Sequence, residues 1–198
     1  MPQLTVHHLH VSQSERLPWL LEELKIPYNL KLYTRSPLLA PPEYKSLHPQ
    51  GTAPILTDDG SNVVLAESGA CIEYICHKYA SGKLFLKPGY TNYPDFLYWW
   101  HWANASFMPA VARVFWRSSS LAGSEFTVAD VMVVFPLTTF RYFYPGLRVG
   151  EYGNVLRYLG RVGEREGYRR AMGRCEDGME VLLGREGPRR GFMESLPN

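Results

Sequence analysis

The sequence predicts an α/β N-terminal domain followed by an all-α C-terminal domain, and three observations carry that reading. Strand-like runs fill the first part of the 198 residues and helical patterns fill the second. All six lysines lie at or before Lys87, whereas thirteen of the fifteen arginines lie at Arg113 or later. Between the two compositions sits Lys87-Pro88-Gly89-Tyr90-Thr91-Asn92, a turn-rich connector. The division that follows is residues 1–84, a linker over 85–91, and a helical domain over 92–198.

The elements can be justified in order. Leu4 to Leu9 (LTVHHL) has β character. Leu17, Leu20, Leu21 and Leu24 then fall at i, i+3, i+4 and i+7, an amphipathic helix ending before Pro27. Pro18 is tolerated only in an opening turn, so the helix starts near Ser14. Tyr28 to Thr34 alternates as a second strand, and Pro41-Pro42-Glu43 suggests a short helix start in the irregular segment that follows. Ile55-Leu56-Thr57 and Val63-Val64-Leu65 flank Asp58-Asp59-Gly60 and form a hairpin. Ser68 is the expected N-cap of the next helix, whose apolar face carries Ile72, Ile75 and Tyr79. The order is β-α-β, then β-β-α, parallel first and antiparallel second, which is thioredoxin-like.

In the second half, Tyr90 to Trp116 holds four of the five tryptophans and suits a helix that Pro109 bends or ends. Phe126-Thr127-Val128-Ala129-Asp130 is a capping box, with Thr127 at the cap, Asp130 at N3 and Phe126 placed to staple onto Val131. YLGRVGEREGYRRAM is a later helix weakened by Gly160, Gly163 and Gly167.

Composition excludes several classes of function. Charged residues at 20% and hydrophobic ones at 45% describe a globular protein, and a net charge of +2 gives no electrostatic case for nucleic acid or membrane partners. Three cysteines without a CxxC argue for a reducing compartment, and the first ten residues carry no secretory pattern, so the expectation is cytoplasmic. On a strand His8 and His10 share a face while His7 points away. Two histidines without a third ligand are a poor metal site, so no metal is expected. Cys71 and Cys76, five apart on one helix, read as buried apolar thiols.

Two details exceed what a hairpin and a helix need. Pro54 stands at the mouth of a strand, where a missing N–H is normally a defect. Glu67-Ser68 places a carboxylate and a hydroxyl at a helix start that already gathers N–H donors, a corner suited to a small zwitterion.

Gly51-x-x-Pro54-x-Leu56, the hairpin, and Leu65-x-Glu67-Ser68-x-Ala70-x-x-x-Tyr74-Ile75 resemble the glutathione-binding half of the glutathione transferase family, and LxGxxFTxAD resembles its second-domain motif. The resemblance is closest to fungal, serine-type members. It implies that Pro54 is cis, that the Ala53 backbone pairs with the cysteinyl part of glutathione, and that Glu67 and Ser68 hold its γ-glutamyl end. A basic residue often stands where this chain has Thr52, so the glycyl carboxylate falls to Gln50, Arg35 or His48. Glutathione is the implied co-substrate.

The resemblance places the catalytic hydroxyl at Ser12, with Ser14 as second candidate. A thiol of pKa about 8.5 is only about 3% thiolate at pH 7. Lowering it by about two units raises that share to roughly three quarters, for about 2.7 kcal/mol of differential stabilisation. A hydroxyl donor and a helix start can supply it. Read from spacing alone, Ser12-x-x-Glu15 is a capping box, and Arg16 supports the helix without a catalytic part.

The aromatic helix faces the glutathione sulfur in this family, which makes Trp99, His101, Trp102 and Met108 candidates for the wall of a second, apolar pocket. The resemblance also implies a homodimer, an apolar electrophile as second substrate, and a detoxifying or biosynthetic conjugation. Between Trp116 and Leu121 the chain is shorter than the family pattern. At this stage a non-catalytic interaction or ligand-carrier module of the same fold stays open beside the enzyme.

Overall fold

A computed structural model of the chain describes residues 3–36, 39–107, 126–143, 145, 147, 149–176 and 179–189. Four strands, β1 (Leu4–Leu9), β2 (Asn29–Tyr33), β3 (Ile55–Asp58) and β4 (Val63–Ala66), form one sheet in the order β2-β1-β3-β4. β1 runs parallel to β2 and antiparallel to β3, and β3 and β4 close the hairpin. All six residues of the central β1 are buried. This is the expected thioredoxin-like topology.

A short 3₁₀ turn over Gln13–Glu15 leads into α1 (Arg16–Leu24), so Pro18 does sit in the opening turn. The helix ends at Lys25, whose left-handed backbone (φ 57°) lets the Ile26 N–H bond the Leu21 carbonyl at 3.0 Å. The expected capping box is only half made. Ser12 Oγ accepts from the Ser14 N–H at 3.2 Å, but Glu15 turns inward, 2% exposed, and bonds Thr139. Burial and the charge of Glu176 push its carboxyl up to about 8. A buried carboxylic acid gains more from an internal partner than from a solvated cap.

α2 (Pro42–Lys45) crosses the irregular segment, and α3 (Ser68–Tyr79) follows the hairpin. Ser68 is not the cap of α3 but its first residue. Glu67 takes the cap position with φ 71° and ψ 121°, outside the usual regions for a side-chain-bearing residue, and makes no capping bond. The Ser68 hydroxyl is drawn inward by Arg16 instead. Cys71 and Cys76 are buried, and burial raises both thiols to about 12.

α4 (Tyr93–Trp102) passes at Ala103 into a π-helical turn over Ala103–Phe107, ahead of Pro109, which lies outside the described residues. The same holds for the stretch from 116 to 121. α5 (Val128–Leu137) is buried from end to end and carries the complete capping box: Asp130 Oδ2 accepts from the Thr127 N–H at 2.9 Å, and Thr127 Oγ1 from the Ala129 N–H at 3.3 Å. Phe126 packs on Trp19, 5.5 Å between rings, beneath the Arg165 guanidinium.

The single late helix is in fact two, α6 (Gly153–Glu164) and α7 (Glu166–Cys175), separated by Arg165 in extended backbone. Gly167 is there for space. A Cβ at that position would come within 2.9 Å of the Glu23 carboxyl carbon, where α7 crosses α1. Among the described residues no helix is long and apolar enough to cross a membrane.

Candidate functional site

A cavity of about 820 Å³ opens where the end of β1 meets the loop before β3 and the buried helix α5. Ser12, Gln13 and Arg35 form one side, Gln50, Gly51, Thr52 and Ala53 another, and Phe135, Phe140 and Phe143 face them. Lys45 of α2 contributes a second basic side chain. The Ala53–Pro54 peptide is cis, as the resemblance implied.

The two candidate serines are now distinguishable. Ser12 lines the cavity at 5% exposure, while Ser14 is fully buried behind it. Ser12 Oγ donates to the Leu9 carbonyl at 2.7 Å and lies 2.6 Å from Ser14 Oγ. Ser14 Oγ accepts from the Leu9 N–H at 3.1 Å and sits 2.9 Å from His8 Nδ1.

The Glu67–Ser68 corner is built around a buried cation. Arg16, 1% exposed, donates through Nη1 to Gln13 Oε1 at 2.6 Å, Ser68 Oγ at 2.8 Å and Asn104 Oδ1 at 3.1 Å. Burial lowers its guanidinium to about 9, so it remains charged at neutral pH. Asn104 Nδ2 also donates to Ser68 Oγ at 3.3 Å, which ties the π turn after α4 to the start of α3. Glu67 itself is exposed and accepts from Gln50 Nε2 at 2.5 Å. Arg35 donates to the carbonyls of His10 and Val11, each at 2.8 Å. His48 accepts from the Gln50 N–H at 3.2 Å but is not among the residues lining the cavity.

Trp99, His101 and Trp102 are likewise not among the described residues that line it. Trp99 meets Trp102 edge-on at 5.2 Å, Trp102 stacks on Phe107 at 4.7 Å, and the exposed His101 borders a separate hollow of about 390 Å³ with Trp100. Met108 lies outside the described residues. The apolar wall that is described comes from Phe135 on α5 and from Phe140 and Phe143 just after it. The sequence signal was the aromatic run FPLTTFRYF, which follows the capping box by a few residues.

The histidines hold a further surprise. His7 bonds Tyr33 Oη at 3.0 Å and Thr57 at 3.3 Å, and burial lowers it to about 4. His8 and His10 point the other way and meet Glu176, at the end of α7. His8 Nε2 lies 3.1 Å from Glu176 Oε1, and His10 Nδ1 lies 3.7 Å from Oε2. The ligand atoms of all three fall within 4.8 Å of one another, so a carboxylate that two strand histidines lacked in the sequence is present. Both of its oxygens, however, already accept from the Val11 N–H, at 3.1 and 3.2 Å, and the other nitrogen of His8 is engaged by Ser14. The three side chains form a buried polar cluster anchored on the Val11 N–H and Ser14.

Comparison with known proteins agrees with this geometry. Residues 12–78 match the family model described as "Glutathione S-transferase, N-terminal domain". Glutathione S-transferase 3 of Schizosaccharomyces pombe is 29% identical over 224 residues, covering 91% of this chain and 91% of its own. Glutathione S-transferase 1 of Saccharomyces cerevisiae is 30% identical over 55% of this chain and 49% of its own length. A glutathione S-transferase crystal structure from Actinobacillus pleuropneumoniae superposes with a TM-score of 0.72 at 26% identity, over 87% of this chain and 92% of that one. A glutathione transferase of Phanerochaete chrysosporium, solved with oxidized glutathione, shares the fold at a TM-score of 0.68 and 20% identity, over 88% and 95%. Residues 12–78 thus match a glutathione S-transferase N-terminal domain, and the chain as a whole is similar to glutathione transferases in sequence and in fold.

Proposed function

We propose that this protein binds glutathione along the Gln50–Ala53 edge of the cavity and adds its thiolate to an apolar electrophile held against Phe135, Phe140 and Phe143. The observation that carries the reading is the cavity itself, which sets a hydroxyl, a backbone edge beside a cis proline, and an apolar wall around one space. Ser12 is the residue that donates to the sulfur, and Ser14 stands behind it. Glu67, oriented by Gln50, takes the γ-glutamyl ammonium, and Ser68 the carboxylate. The acceptor sites of Ser68 Oγ are occupied by Arg16 and Asn104, which leaves its own proton to donate. Arg35 and Lys45 supply positive charge for the glycyl carboxylate in place of the basic residue that Thr52 replaces.

The protein would work as a homodimer on one small apolar substrate. Calorimetric titration with reduced glutathione, followed by conjugation to a chromogenic aryl halide, tests the reading. Binding in the millimolar range or tighter with turnover supports it. Binding without turnover across a panel of electrophiles would make it a ligand carrier of the same fold.

A further inference from the structure

Hydrogen-bond accounting behind Ser12 leads beyond the reading above, on which this inference rests. Three short contacts run in series: Leu9 carbonyl to Ser12 Oγ at 2.7 Å, Ser12 Oγ to Ser14 Oγ at 2.6 Å, and Ser14 Oγ to His8 Nδ1 at 2.9 Å. Two hydroxyls bring only two protons. A carbonyl cannot donate, so the first contact takes the proton of Ser12. The second must then take the proton of Ser14. The third is left without a hydroxyl proton and is a hydrogen bond only if His8 Nδ1 carries one.

At the other end of the same ring, Nε2 stands 3.1 Å from the Glu176 carboxylate, and both groups are buried. A bare ring nitrogen facing a carboxylate would set two lone pairs against each other in a medium that screens them poorly. A proton on Nε2 turns that repulsion into an ion pair. The geometry favours the anion of Glu176: both of its oxygens accept from the Val11 N–H, a donor that a carboxylate uses better than a carboxylic acid does.

We propose that His8 is an imidazolium paired with Glu176 and that the pair fixes the direction of the two-serine wire, so that Ser14 donates to Ser12 and the Ser12 proton points outward. In this arrangement Ser12 offers its proton to the Leu9 carbonyl until a sulfur arrives in the cavity, and then to the sulfur. With a neutral His8 protonated on Nε2 alone, Ser14 would donate inward, Ser12 would follow, and the cavity would face an acceptor that repels a thiolate. His8 and Glu176 are thus positioning residues acting through Ser14, and Ser14 is a link in the wire, not a second nucleophile-facing hydroxyl. Chains of hydrogen bonds polarised in one direction strengthen each member, so the outermost donor gains.

The groups that face this pair come from every neighbouring element. His10 on β1 lies against the second oxygen of Glu176. Glu15 comes from the 3₁₀ turn before α1, with Arg16 behind it, Arg35 from the segment after β2, Tyr142 from the turn after α5, and Tyr168 and Cys175 from α7. Glu15 carries its proton at neutral pH and adds no competing charge.

Two measurements test the wire. Nitrogen-15 imidazole spectra of the wild-type protein report its ring protons directly, without any substitution. At pH 7 both His8 nitrogens are expected in the protonated, pyrrole-like range. A neutral His8 with an unprotonated Nδ1 overturns the proposal, as does one stoichiometric metal ion, measured by elemental mass spectrometry, that occupies Nε2. The second measurement is the thiol pKa of bound glutathione, read from thiolate absorbance. His8→Leu removes the donor and is expected to leave about tenfold less thiolate at neutral pH, a shift of about one unit. His8→Asn, whose amide can still donate to Ser14, is expected to restore part of it, with glutathione affinity unchanged in both. An unaltered thiol pKa in His8→Leu contradicts the wire. Absence of bound glutathione from the wild type would sink the transferase reading alone, because the ring-proton spectrum still decides the wire.

Discussion

Ser12, which lines the cavity, and Ser68, at the start of α3, both have their hydroxyls engaged by groups from inside the fold. Ser68 accepts from Arg16 and Asn104. Ser12 accepts from the Ser14 N–H and, in the proposed wire, from the Ser14 hydroxyl. The difference lies in what stands last in line. Behind Ser68 is a guanidinium that burial lowers only to about 9, a charge that stays in place across the neutral range. Behind Ser12 stand Ser14 and His8, a chain of neutral hydroxyls ending at an imidazole beside a carboxylate. The difference is one of reach: Ser68 meets its cation directly, whereas Ser12 meets the buried His8–Glu176 pair only through Ser14.

The comparison breaks most completely at Arg16. Replacing it by Met would leave the buried Ser68 and the half-buried Gln13 and Asn104 without their shared donor, and loss of about 2 kcal/mol or more is expected, measured by urea unfolding. Ser12→Ala leaves the Ser14 N–H and the Leu9 carbonyl without their partner and should cost about 1 to 2 kcal/mol, together with a fall of about 100-fold in kcat/KM for conjugation by the folded variant at neutral pH. A merely structural Ser12 would show the first effect without the second.

A third prediction concerns Glu15, which sits close to both corners. Its folded-state carboxyl is raised to about 8 from an ordinary value of 4.5, so the native state holds this proton more tightly than the unfolded chain does. That contribution is complete below about pH 4.5 and declines by up to about 1.4 kcal/mol per pH unit as pH rises toward 8. His7, lowered to about 4, has the opposite effect up to about pH 6.5, so unfolding free energies should slope downward between about pH 6.5 and 8, and Glu15→Gln should flatten that slope. An unchanged slope would remove Glu15 as its source. The smallest effect belongs to the half-exposed bridge of Arg165 with Glu23, two contacts of 2.7 Å. Glu23→Gln should cost under about 1 kcal/mol, lessened further by salt.

The same contrast explains what could be read from the sequence. The hairpin and the Thr127 box are short-range patterns, with every partner within a few residues, so spacing alone suggested them, and the adjacent Glu67 and Ser68 could be singled out in the same way. Their finer geometry was not legible: Ser68 gave up its cap because Arg16, 52 residues earlier, reached it inside the fold. Nor was the network behind Ser12. Glu176 meets the Val11 N–H across 165 residues, and no periodicity marks it as different from the other acidic residues of an amphipathic helix end. The late helix was read as one because glycines lower propensity without announcing a break. In the structure Gly167 lies against the Glu23 side chain where α7 crosses α1, a contact between distant parts of the sequence that spacing does not reveal.

The central claim is that the Ser12 cavity ionises a bound thiol. Its most direct test is the thiolate absorbance of glutathione bound to the wild-type protein and to Ser12→Ala at pH 7, with affinity measured in parallel by calorimetry. The account predicts a thiolate band in the wild type and its loss in the variant at equal affinity. An equal band in both proteins, or bound glutathione without a band in the wild type, would contradict it.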